Sequence, residues 1–206
     1  MKVLLINGSP HRKGCTYTAL NEAAKSLNEE GIETEIYHIG VESIRGCIAC
    51  RQCKENSRCV FKDCVNEAIE KMEQCDGLII GSPVYYGSIN GSMSSFLDRF
   101  FYAGARKFKY KPGAAIVSAR RAGTTASLDQ MNKYFTLNDM PVVSSNYWNM
   151  VHGNNPAEVL QDEEGLQIMR RLGKNMAWLL KCIELGKNEG IVPNFSEQKK
   201  TTNFIR

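Results

Sequence analysis

Short apolar runs alternate with helical patterns along this chain, and this alternation restricts its fold more than any other feature. The apolar runs are 2–7, 34–39, 77–82, 113–118 and 141–144. Apolar residues recur at helical intervals over 16–30, 65–75, 92–102 and 125–137, and a last helical region runs from 156 to about 186. Strands that are joined through helices pair in parallel. The sequence therefore predicts an α/β fold with a doubly wound, five-stranded parallel sheet in three layers.

Length and composition indicate one domain with an appended arm. The chain has 206 residues, of which 43% are hydrophobic and 23% charged, as is ordinary for a globular protein. We expect a domain over 1–187 that contains a cysteine-rich loop over 46–64. An extended arm over 188–206, with Gly190 and Pro193, is expected to follow it.

Charge and hydropathy exclude several classes of partner. The net charge of +4 is spread over separate short patches, whereas nucleic-acid binders concentrate far more charge on one face. No apolar run approaches the roughly 20 residues of a membrane span. Met1-Lys2 leads directly into an apolar run without the pattern of a signal peptide. We therefore expect a cytoplasmic protein whose eight cysteines remain thiols or metal ligands.

A run of closely spaced cysteines within the loop indicates a metal centre. Cysteine thiolates hold iron-sulfur clusters, and a bacterial ligand run also separates its first three cysteines by two residues. Here the fourth cysteine follows after five residues. We interpret Cys47, Cys50, Cys53 and Cys59 as ligands of a 4Fe-4S cluster. A zinc site and reduced or redox-active thiols are the alternatives, and Cys64 is either a substitute ligand or a bystander.

Three loops at predicted strand ends carry the residues that suit a phosphorylated, flat ligand. The loop 8–16 enters a helix, where free N–H groups and the helix dipole favour a phosphate. It has neither a Walker A nor a dinucleotide-binding pattern. The loop 81–91 offers paired tyrosines for a heteroaromatic ring, and the loop 118–125 adds two arginines beside small residues. A plain strand-to-helix turn and tyrosines that only pack are the alternatives.

Taken together, these loops resemble a known family. Gly8-Ser9-Pro10 with Thr16, the run Gly81–Ser88, the loop Arg120–Thr124 and the run Tyr147–Gly153 resemble the flavodoxin-like NAD(P)H-dependent FMN reductases. The cysteine run resembles the cluster motif of their iron-sulfur flavoprotein branch. The resemblance implies FMN bound by Ser9, His11, Cys15 and Thr16 at its phosphate, by Pro83, Val84, Tyr85, Tyr86, Gly87 and Ser88 at the isoalloxazine, and by Ser118, Arg120 and Gly123 at the other edge.

The resemblance also implies an enzyme that uses reduced nicotinamide. NADH or NADPH would give a hydride to FMN, and the electrons would leave for a quinone, a free flavin, a redox protein or the cluster. A cluster-free flavin reductase and a non-enzymatic, flavodoxin-like electron carrier are the alternatives. The family tends to form homodimers or homotetramers. The apolar stripe of Phe96, Phe100 and Phe101 is therefore expected either in the core or at a subunit interface.

Overall fold

The computed structural model describes residues 1–198, 200–202 and 204–205. Its strands are β1 (Lys2–Asn7), β2 (Glu33–His38), β3 (Gly77–Tyr85), β4 (Ser88–Ile89), β5 (Gly113–Ala119) and β6 (Met150–His152). Its helices are α1 (Cys15–Glu29), α2 (Cys53–Asn56), α3 (Cys64–Glu73), α4 (Gly91–Phe108), α5 (Thr124–Thr136), α6 (Pro156–Val159) and α7 (Glu163–Asn188). The strand and helix regions predicted from the sequence are present, with shifted ends, except for the fifth strand.

The sheet has the predicted doubly wound topology. Its parallel strands lie in the order β2-β1-β3-β5-β6, and β4 pairs antiparallel with the end of β3. Counting the parallel strands along the chain, this order is 2-1-3-4-5, the flavodoxin-like arrangement, which confirms the predicted fold class. The order reverses between β1 and β3, so the loops that follow β1, β3 and β5 meet at one rim of the sheet.

Alternating side chains of β1 supply two separate hydrophobic cores. Val3 and Leu5 belong to one core, and Leu4 and Ile6 belong to the other. The first core includes Leu20 and Leu27 of α1 and Met169 of α7, and the second includes Ile69 of α3, Phe96 of α4 and Phe135 of α5. Burial on both faces explains why β1 is a continuous apolar run and not an alternating one.

The prediction of a fifth strand at 141–144 is wrong. Within this described segment, Val142 makes only an isolated parallel bridge to Gly113, and β6 is the fifth parallel strand. The chain between them loops away, and the Ser145 hydroxyl donates to the side-chain oxygen of Asn149 at 2.8 Å. The Asn149 amide group donates to the Ala115 carbonyl at 3.0 Å, so a side chain holds this part of the sheet edge. The apolar pattern contains no signal for such a contact.

The phenylalanine stripe of α4 lies in the core of the chain. Phe96, Phe100 and Phe101 are at most 4% exposed, and the first two stack with their ring centroids 5.3 Å apart. The alternative that places them at a subunit interface is therefore wrong.

The C-terminal helical region is divided into α6 and α7. The Asp162 carboxylate accepts a hydrogen bond from the Gly165 N–H at 2.9 Å and starts α7 separately. Beyond α7, the described residues of the predicted arm 188–206 form no helix or strand, and Phe195 stacks on Tyr110 with ring centroids 5.8 Å apart. Lys199, Asn203 and Arg206 lie outside the described residues. Among the helices described, none is both long and apolar enough to cross a membrane.

Candidate functional site

Gly8, in the loop after β1, is held by short hydrogen bonds to strand β3 and to the residue that follows β4. The Gly8 N–H donates to the Gly81 carbonyl at 2.9 Å, and the Asn90 side-chain amide donates to the Gly8 carbonyl at 2.6 Å. A Cβ atom on Gly8 would lie 2.5 Å from the sulfur of Met93. It would also lie 3.0 Å from the Gly81 carbonyl oxygen. Glycine suits this position, because a side chain would displace Met93 and press on the backbone of β3.

The loop after β1 is folded around Ser9. The Ser9 N–H donates to the side-chain oxygen of Asn7 at 3.0 Å, and the Ser9 hydroxyl accepts from the His11 N–H at 3.1 Å. His38 Nε2 donates to the Ser9 carbonyl at 2.7 Å. Sequence reasoning missed Asn7 and His38. Their positions in the sequence could have indicated them, because they are the last residues of two neighbouring strands and pair with each other in register.

Helix α1 begins with backbone donors that are open to an anion. Gly14 is its N-cap, and no side chain in the described part of the chain caps it. The first turn contains no acidic residue. The N–H groups of Cys15, Thr16 and Tyr17 have no carbonyl partner within the helix, and the helix dipole adds partial positive charge. This end of the helix suits a phosphate.

Two predicted phosphate ligands turn out to have protein partners for their side chains. The Thr16 and Ser118 hydroxyls, both buried, share a hydrogen bond of 2.8 Å that joins α1 to β5. The Cys15 thiol donates to the Gly153 carbonyl at 3.6 Å. Burial raises the pKa of Cys15, and the negative charge of Glu158 adds to this, so the thiol remains neutral. The Cys15 side chain is therefore engaged with the protein itself.

The predicted ring-binding segment forms a tight hairpin. Tyr86 and Gly87 have φ angles of 51° and 75°, as a two-residue hairpin turn between β3 and β4 requires. This geometry leaves Tyr85 48% exposed and Tyr86 fully exposed. The Ser88 hydroxyl donates to the side-chain oxygen of Gln130 at 2.7 Å and so ties the hairpin to α5.

Gly123 brings the loop after β5 against this hairpin. Its φ of 89° is left-handed, and a Cβ atom there would lie 2.7 Å from the Gly87 Cα and 2.8 Å from Val84. Pro83 is paired in register with Ser118. The structure thus brings the predicted residues of all three loops to one rim of the sheet. The side chains of His11 and Arg120 are exposed there.

The cysteine-rich loop borders a separate cavity of about 720 Å³ beside α4. Its lining includes all four predicted ligands, Cys47, Cys50, Cys53 and Cys59. Burial raises the pKa of Cys53, and the neighbouring thiols Cys47, Cys50 and Cys59 raise it further. Four thiols with this common environment are the donor set that a soft metal centre uses.

Cys64 differs from these four thiols. It is outside the set of described residues that line the cavity, and it packs against the hydrophobic core at the start of α3. Burial raises its pKa to about 11, with the charge of Asp63 as a second cause. The structure therefore favours the interpretation of Cys64 as a bystander.

The sulfur atoms are not arranged as a finished coordination sphere. Within residues 1–198, 200–202 and 204–205, no group of three or more histidine, cysteine or acidic side chains has the geometry to hold a metal ion. The loop backbone is unusual here, because Ala49, Arg51 and Ser57 all have left-handed φ angles between 53° and 61°. The residues present thus fit a cluster by donor chemistry and common cavity, and the sulfurs would have to draw together around it.

A buried arginine also reaches this cavity. Arg99 of α4 is 1% exposed, and its Nε donates to the Cys59 sulfur at 3.2 Å. Its two terminal nitrogens donate to the Asp63 carboxylate, each at 2.7 Å. Sequence reasoning missed Arg99. The available signal was a cation within the apolar stripe of α4, between Phe96 and Phe100.

Comparisons with known proteins agree with this architecture. Residues 1–155 match the family described as NADPH-dependent FMN reductase. An iron-sulfur flavoprotein of Methanocaldococcus jannaschii is 35% identical over 192 residues, which cover 89% of this chain and 100% of that protein. A second iron-sulfur flavoprotein of the same organism is 32% identical over 186 residues, covering 83% of this chain and 92% of that protein.

A solved structure shows the same fold at low sequence identity. A flavodoxin from the domain Archaea superposes with a TM-score of 0.60 at 14% identity, covering 88% of this chain and 99% of that one. With the family match over residues 1–155, the comparisons show that the chain belongs to the NADPH-dependent FMN reductase family and is an NAD(P)H-dependent FMN oxidoreductase.

Proposed function

We propose that this oxidoreductase passes electrons from NAD(P)H, through FMN, to a 4Fe-4S cluster held by Cys47, Cys50, Cys53 and Cys59. The final acceptor would be a quinone, a free flavin or a redox protein. The observation that carries the proposal is the common cavity, since all four cysteines line it although they span residues 47–59. The two relatives named as iron-sulfur flavoproteins support the same proposal.

The rim of the sheet would bind FMN through two kinds of contact. The first-turn N–H groups of α1 and the Ser9 hydroxyl would hold the phosphate, with the cationic side chains near His11 offsetting its charge. The hairpin at Tyr85 and the loop at Gly123 would form the walls for the ring system. Gly123 supports this assignment, because a Cβ atom there would fill the space in which the loop after β5 meets the hairpin.

The residues of the protein would bind and orient FMN, and FMN itself would supply the redox chemistry. The chemistry that FMN would supply at this site is hydride acceptance from reduced nicotinamide and release of electrons one at a time. The hydrogen bond between Thr16 and Ser118 would keep the phosphate end and the ring end at a constant separation. The exposed edge at Tyr85 and Tyr86 would leave an approach for the nicotinamide.

An anaerobic purification tests the proposal directly. We expect stoichiometric FMN, about four iron atoms per chain, and rapid bleaching of the flavin absorbance by NADH or NADPH. Cys53→Ala is expected to lose the iron. Cys64→Ala is the matched control and is expected to retain it, because Cys64 lies outside the residues described around the cavity.

Other results would favour the alternatives. A yellow, iron-free protein that nicotinamide reduces would be a cluster-free flavin reductase whose cysteines are reduced or redox-active thiols. A protein that holds FMN but is not reduced by nicotinamide would be an electron carrier. Bound zinc in place of iron would overturn the cluster assignment. We also propose a homodimer or homotetramer, which light scattering on the eluted protein would measure.

A further inference from the structure

Every nitrogen of the Arg99 guanidinium has a hydrogen-bond partner, and one of these partners, Cys59, lines the thiol cavity. The terminal nitrogens donate to both Asp63 oxygens at 2.7 Å, and one of them also donates to the Arg45 carbonyl at 3.1 Å. The ring of Phe61 lies 4.9 Å from the guanidinium. The remaining nitrogen, Nε, donates to the Cys59 sulfur at 3.2 Å. The planar group is therefore held in one orientation, with a single N–H directed at one sulfur.

Stability alone does not explain this arrangement. Arg99 is 1% exposed, and removing a charge from water is expensive even when the charge is paired. Apolar side chains of similar volume often replace such pairs without loss of stability. On α4, Phe96, Phe100 and Ala103 near Arg99 are all buried in the core, so an apolar residue at 99 would extend the apolar stripe. A buried guanidinium that donates to a predicted cluster ligand points to a role at that ligand.

We propose that Arg99 is a positioning residue that holds the Cys59 sulfur toward the cavity and raises the reduction potential of the cluster. This inference rests on the proposed function. Hydrogen bonds to the sulfurs and the net charge around a cluster set its reduction potential. The hydrogen bond from Arg99 and its positive charge both stabilise the reduced state of the cluster, which is the more negative one. Asp63 has two effects, because it fixes the guanidinium in place and partly cancels its positive charge. The charges of Arg99 and Asp63 therefore act on the potential in opposite directions. An asparagine at 63 keeps one oxygen that accepts from the guanidinium, so Asp63→Asn isolates the effect of the charge.

Three variants test this role in the full-length protein purified anaerobically, two that keep the charge of the side chain and one that removes it. Arg99→Lys keeps the positive charge but loses the planar group that serves Asp63 and Cys59 together. Arg106→Lys is the control, because Arg106 lines the same cavity and donates to the Lys54 carbonyl. Asp63→Asn removes the negative charge and keeps an N-cap oxygen for the Val65 N–H of α3.

Two quantities are measured, the iron content and the midpoint potential of the cluster. The potential is determined in a redox titration monitored by electron paramagnetic resonance, and the flavin potential serves as an internal reference. Arg99→Lys is expected to raise the ratio of oxidised to reduced cluster about tenfold at a given potential. For a one-electron couple this corresponds to a midpoint potential ~59 mV more negative. Asp63→Asn is expected to shift the potential in the positive direction. Arg106→Lys is expected to leave it unchanged.

The outcomes separate this inference from the proposed function. Wild-type protein that holds no iron overturns both. Iron-loaded variants whose cluster potentials equal that of the wild type overturn only the role of Arg99. If Arg99→Lys fails to fold or to load iron, Asp63→Asn still decides, and an unchanged or more negative potential in it overturns the inference.

Discussion

Substitution of Gly123 by alanine tests whether the meeting of two loops builds the flavin site. Its φ of 89° costs an alanine about 1–2 kcal/mol. The new Cβ would also lie 2.7 Å from the Gly87 Cα, where ordinary carbon contacts are about 3.5–4.0 Å. Because that neighbour is backbone, it cannot rotate away, and overpacking of this kind costs about 1–3 kcal/mol. We therefore expect Gly123→Ala to lower the free energy of unfolding by about 2–5 kcal/mol.

Gly31→Ala separates backbone strain from the clash. Gly31 also has a left-handed φ, of 79°, but no described atom lies within 4 Å of its would-be Cβ. We expect this control to lose only about 1–2 kcal/mol in the free energy of unfolding. The assay is urea denaturation of both variants without cofactor, so that bound FMN does not contribute to the measured stability.

The same two variants distinguish a folding effect from a binding effect. Gly123→Ala should weaken FMN at least tenfold, about 1.4 kcal/mol, because the loop would move off the hairpin that it contacts at Val84. Gly31→Ala should leave the FMN dissociation constant unchanged in a fluorescence-quenching titration. Equal stability losses and equal FMN affinities in the two variants would refute the reasoning.

Three further substitutions test other parts of the molecule. Thr16→Val should lower the free energy of unfolding by about 1–3 kcal/mol, because it leaves the buried Ser118 hydroxyl without its partner. Urea denaturation measures this, and an unchanged free energy of unfolding would contradict the role of that hydrogen bond. Ser9→Ala should weaken FMN binding in a quenching titration, and unchanged affinity would count against the phosphate site. Hydrogen bonds and charge from Lys71 and then Lys2 lower the pKa of Glu35, so its stabilising effect is present at neutral pH and lost as the pH falls below about 4.3. Glu35→Gln should therefore be less stable than wild type by under about 1 kcal/mol at pH 7. This difference should shrink as the pH falls below about 4.3, and a difference that does not shrink in acid would contradict the reasoning.

The rim that carries the flavin loops could be predicted because it follows from chain order. Continuous apolar runs at 2–7, 77–82 and 113–118 indicated buried parallel strands, and parallel strands end at the same side of a sheet. The residues after each strand therefore had to lie close together, whatever their detailed contacts. Gly8, Ser118 and Gly123 were located in this way.

Contacts between distant side chains could not be predicted in the same manner. Arg99 and Cys59 are 40 residues apart, and nothing local to either indicates the hydrogen bond between them. His38 and Ser9 are 29 residues apart and show the same difficulty. The fifth strand was misplaced for a related reason, because the Asn149 side chain bonds to Ala115 across the sheet.

The amino-acid pattern by itself determined the class of the fold, the order of its elements and the clustering of the cysteines, because periodicity and spacing are local properties of a chain. Tertiary structure alone decided which thiols line the cavity and which, like Cys64, pack against the core. It also decided that a guanidinium is buried beside one of them. The physical reason is that burial and hydrogen bonding depend on which elements meet, and this is settled only when α3, α4 and the cysteine loop pack together.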